Sequence, residues 1–133
     1  MSPPWSLQQA AALEALRTAR SGRGFSLLRI APSGWIAEGG ELEVLSNVVA
    51  GAVRKTDYAV SVREAEVGVV LIELTQADAV VTRLRAVIGK KLPWMEVRIG
   101  WAAVGPGQLQ TWQEGWKWAG QLLVADAAVR VAA

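Results

Sequence analysis

Arg54-Lys55-Thr56-Asp57, five further residues, and then Arg63-Glu64-Ala65-Glu66-Val67 form the stretch that decides how this chain folds. Tyr58–Val62 and Val67–Leu74 are short and rich in β-branched residues, so they predict two strands joined by a tight antiparallel hairpin. The second is nearly continuous in apolar residues, as expected of a strand covered on both faces. Upstream, Leu42, Leu45, Val49 and Val53 recur at spacings of 3, 4 and 4, which makes one buried stripe of a helix beginning after Gly39-Gly40. Arg54 and Asp57 therefore stand one turn past a helix end, where their plainest role is a solvated ion pair of little energetic weight. Glu64 and Glu66, at the hairpin tip, read as solvated carboxylates.

Working outward, residues 5–20 lack Gly and Pro and predict a lead helix that ends at Ser21-Gly22. Phe25–Ile30 predicts a strand closed by Pro32 and Gly34. Ala77–Ile88 predicts a helix with Val80, Leu84, Val87 and Ile88 inward, Arg83 and Arg85 flanking, and Gly89 as its C-terminal cap. Met95–Val104 predicts a strand, and Gly105-Pro106-Gly107 a turn; no Lys or Ser/Thr follows in the register of a phosphate loop. Leu109, Trp112, Trp116, Ala119 and Leu123 share one face of a last helix, with a terminal strand expected at Ala128–Val131. Trp112 and Trp116 read as core, whereas Trp118 lies off the stripe and suits an interface. The order predicts an α+β, ferredoxin-like domain over 23–133, a central antiparallel sheet flanked by helices, preceded by the lead helix within 1–22.

Composition narrows the chemistry. The 133 residues are 52% apolar, enough for one core, and the net charge of +2 includes no basic run longer than Lys90-Lys91. Nucleic acid is thus not an expected partner. The chain has no Cys and no His, which removes thiol nucleophiles, zinc fingers and imidazole acid–base catalysis. Its longest apolar run, Val67–Ile72, is far short of a membrane span, and no signal peptide is visible, so a cytoplasmic location without membrane attachment is expected.

The stretch at 54–67 resembles the centre of a GGDEF (diguanylate cyclase) domain, in which an Arg-x-x-Asp pair stands five residues ahead of a Gly-Gly-Asp/Glu-Glu-Phe turn. The predicted order of elements is also that of the nucleotide-cyclase palm fold to which this bacterial signalling family belongs. The resemblance covers about Phe25 to Val131, and its specific part is 54–72. In the family, carboxylates at the end of the first strand and at the third position of the turn hold two divalent metals, which bring the 3′-hydroxyl and triphosphate together. The matching positions here are Arg29, Ala31 and Ala65. Arg63 and Glu64 stand where the turn's glycines allow close backbone approach, and only Glu66 and Val67 keep the character of the fourth and fifth letters. The guanine-gripping Asn and Asp are missing from Pro32–Gly40, and the late-helix Lys falls at Gln121, next to Trp118 at the aromatic position.

The resemblance therefore implies a catalytically inactive, degenerate domain with no catalytic residues, no metal ligands and no cofactor. The retained Arg54 and Asp57 match the family's inhibitory site for cyclic di-GMP. An arginine fork donates to the O6 and N7 edge of guanine there, and a carboxylate accepts from N1–H and N2–H₂. Arg85 matches the second arginine of that site, with Arg83 as the alternate. Two functions are implied: a regulatory module that binds cyclic di-GMP, or a ligand-free scaffold that forms a homodimer or docks a protein partner.

Overall fold

The computed structural model describes residues 4–32, 40–62 and 66–132. Eight elements follow in chain order: α1 (Pro4–Ser21), β1 (Phe25–Pro32), α2 (Gly40–Ala52), β2 (Tyr58–Val62), β3 (Glu66–Leu71), α3 (Asp78–Lys91), β4 (Val97–Val104) and α4 (Trp112–Ala132). The four described strands form one antiparallel sheet in the order β2-β3-β1-β4, the ferredoxin-like arrangement. β2 and β3 pair as the expected hairpin, from Tyr58 opposite Val70 to Val62 opposite Glu66.

Alternation along β1 sends side chains into two cores. Leu28 and Ile30 join Val67, Val69, Leu71 and Ile99 beneath α2 and α3, where Leu42, Leu45, Val49, Leu84 and Ile88 close the layer. Phe25 and Leu27 join Val60, Val70 and Val104 on the other face, beneath Leu7 and Ala11 of α1 and Trp112 and Trp116 of α4. The helix α1 is thus a packed layer of the second core. Gly100 lets α4 lie directly on β4: a Cβ there would collide with the backbone of Ala119 and Leu123.

Several boundaries differ from expectation, each for a local reason. No terminal strand forms at Ala128–Val131; α4 continues through Ala132, since a run rich in alanine propagates a helix already started. Gly89 is interior to α3, which ends only when the Leu92 N–H bonds to the Ile88 carbonyl and Leu92 itself is buried. Lys90 and Lys91 complement the negative pole of that last turn. Pro93 and the turn it enters delay β4 to Val97. Leu109 lies outside α4 and bridges in parallel to Val104. The helix starts instead behind Thr111, whose hydroxyl caps it by accepting from Glu114 N at 3.1 Å and donates to the Glu114 carboxylate at 3.0 Å. β3 stops at Leu71 because Ile72 and Glu73 turn, Glu73 with a left-handed φ of 54°.

Candidate functional site

Just past α2, the Arg54 and Asp57 side chains meet as the spacing requires, but only the arginine half of the pair is solvated. The Asp57 side chain is 2% exposed against 51% for Arg54. Its Oδ2 accepts from the Arg54 backbone N–H and from Nε, both at 3.0 Å, and its Oδ1 accepts from Arg54 Nη2 at 2.9 Å and from Ile72 N–H at 3.0 Å. Arg54 Nη2 also donates to the Ile72 carbonyl at 2.5 Å. Two of the four donors are main chain, so the carboxylate ties the end of α2 to the turn after β3. The Arg54 guanidinium is held above its ordinary pKa, first by its hydrogen bond to Asp57. What remains for a ligand is the exposed face of Arg54; both Asp57 oxygens are occupied.

The two arginines of α3 separate. Residues two apart on a helix diverge by roughly 200°, and Arg83 and Arg85 do so. Arg83 reaches the α2 end, where its Nη2 donates to the Ala52 carbonyl at 3.1 Å. Arg85 points toward α4 and donates to Asp126 Oδ2 at 2.8 Å, an oxygen that also accepts from Ile99 N–H at 2.9 Å. The structure therefore brings Arg83, and not Arg85, to the end of α2, two residues before Arg54.

At the other end of β1, Arg29 lies on the α4 face between two residues without side chains, Gly68 of β3 and Gly100 of β4. Its Nε and Nη2 grip Glu66 Oε1 and Oε2 at 2.7 and 2.9 Å, a bidentate pair with side chains only 21% and 18% exposed. Nη1 donates to the Trp116 carbonyl at 3.1 Å, and the guanidinium carbon lies 4.4 Å from the centroid of the Trp116 ring. Glu66 is thus not a solvated tip residue. A charge in an otherwise apolar strand needs a buried partner, and that demand was the sequence signal for this cluster. Ala31 is buried on the same face. Among the described residues no group of three carboxylates converges as a metal ion would require. Arg63, Glu64 and Ala65, and residues 33–39 of the shortened loop, lie outside the described residues. Gln121 and Trp118 are both exposed on α4.

Comparison with known proteins matches this architecture. No family model matches the sequence, nor does any curated protein. Among solved structures, the GGDEF domain of FimX from Pseudomonas aeruginosa superposes with a TM-score of 0.79 at 14% identity, over 95% of this chain and 88% of that one. The chain is a GGDEF-like domain in fold. The GGDEF domain of DgcB from Caulobacter crescentus, solved in complex with c-di-GMP, gives 0.79 at 13% identity over 95% and 85% of the two chains. The diguanylate cyclase SiaD of P. aeruginosa, solved with its activator SiaC, gives 0.76 at 13% identity; this chain is covered to 96% but spans only 55% of SiaD. Among the described residues, no helix of this GGDEF-like domain is long and apolar enough to cross a membrane.

Proposed function

We propose that this chain is a catalytically inactive GGDEF-like signalling domain that works by binding and not by making a dinucleotide. One observation carries the proposal: the position matched to a metal-holding carboxylate is Arg29, and its guanidinium is clamped to Glu66 and Trp116. A fixed positive charge there repels a divalent cation and occupies the one acidic group kept from the turn. Incubation with GTP and Mg²⁺ is expected to yield no cyclic dinucleotide on chromatography; product formation would overturn the proposal.

Two modes of binding remain. Docking of a protein partner or a second copy is favoured, because Asp57 spends all its acceptors on its own chain. A cyclic di-GMP receptor role has one observation on its side, the half-exposed Arg54 fork with Arg83 reaching the end of the preceding helix. Calorimetry with cyclic di-GMP separates them. Heat that Arg54→Ala and Arg83→Ala abolish, and Arg85→Ala leaves intact, establishes the receptor; no heat at hundred-micromolar protein excludes it.

A further inference from the structure

The strand β4 lies at the edge of the sheet, and its outward backbone groups are those of odd-numbered residues: Leu109 N–H bonds to the Ala103 carbonyl at 3.3 Å, and Ile99 N–H to Asp126 at 2.9 Å. Between those two stoppers the outward groups are the Ile99 carbonyl, the Trp101 N–H and carbonyl, and the Ala103 N–H. None has a hydrogen-bond partner among the described residues. An unpaired edge of this kind is a template for another strand.

The gap is also a cleft. A cavity of 370 Å³ runs along it, lined by Trp101, Ala103, Gln108, Leu109, Trp118 and Leu122. Trp101 packs toward the α2–α3 core, whereas Trp118 and Leu122 stand half-exposed on α4. Two tryptophans thus flank the open edge, one on each face of the sheet. Alternate side chains of an added strand would meet one and then the other.

We infer that this slot binds a short extended peptide segment, about three residues long, by adding it to β4. Size selects that occupant. A second copy would bury on the order of 1,600 Å² in a stable pair, and its β4 would run into Asp126 at one end and the Leu109 segment at the other. A three-residue segment meets neither, and its backbone supplies both donors and acceptors, as in other strand-addition sites. The inference is independent of whether the domain turns over nucleotide.

The probe is acetyl-Val-Thr-Val-amide titrated into the ¹⁵N-labelled full chain to millimolar concentration, beside the same peptide N-methylated at all three residues. The Trp101 and Ala103 amides and the Trp118 indole are expected to shift with the first peptide and not with the second. The surface variant Trp118→Ala should weaken the shift several-fold while keeping a folded spectrum. No movement of the Trp101 amide, or equal movement with the methylated peptide, would overturn the inference. So would shifts that depend on protein concentration without peptide, since they would place a second copy on the edge.

Discussion

Asp57 and Arg54 form one ion pair, yet they differ in what their loss exposes. Replacing Asp57 by Ala takes the acceptor from the exposed Arg54 N–H and from the part-buried Ile72 N–H, and a stranded buried donor costs about 1–3 kcal/mol, so the Ile72 group sets the loss. Replacing Arg54 removes a half-exposed partner and leaves the carboxylate its two backbone donors. Urea unfolding is therefore expected to show a loss of about 2 kcal/mol or more for Asp57→Ala and a smaller one for Arg54→Ala; equal losses would contradict the clamp. Because the Arg54 pKa is raised, the stabilisation linked to the Arg54 charge is present below the ordinary arginine value and is lost as pH rises through the raised one. At Arg29 the expectation is non-additive. Arg29→Met or Glu66→Leu alone leaves a charge uncompensated and should cost about 2–3 kcal/mol, less than for a wholly buried pair. The double variant should recover most of that, measured as a coupling energy in the four-way cycle. The Arg-x-x-Asp spacing was legible in the sequence, but the burial of its carboxylate was not. That burial depends on Ile72, fifteen residues downstream, turning back to donate.

Among the elements, periodicity read well wherever one face is buried. The hairpin and the Trp112/Trp116 face form as their spacing demands, as does the α2 stripe of Leu42, Leu45 and Val49, with Val53 falling just past the helix end. Chain ends and caps read poorly, because Gly89 and Ala128–Val131 are decided by what continues a helix and not by local punctuation. Two glycines test this contrast. A methyl at Gly89 enters open space, so Gly89→Ala should stabilise by about 0.5–1 kcal/mol. A methyl at Gly100 meets the α4 backbone, which cannot step aside as a side chain can. Gly100→Ala should cost about 3 kcal/mol or leave the chain unfolded, as followed by thermal denaturation.

For the whole molecule, the fold class followed from the pattern, while the way α1 is joined to the rest did not. Leu7 and Ala11 are buried against the same core as Val60 and Val70, so removing residues 1–22 uncovers that face of the sheet. The truncated chain is expected to melt at least about 10 °C lower or to aggregate; an unchanged melting temperature would make α1 a dispensable appendage. The proposal of an inactive domain rests on Arg29 and Glu66 closing the place that the sequence resemblance matches to a metal and triphosphate site. Electron paramagnetic resonance of Mn²⁺ mixed with GTP and the full chain tests it most directly. The free and GTP-bound manganese signals are expected to be the same with and without protein. A third, protein-dependent population that disappears in Glu66→Gln would contradict it.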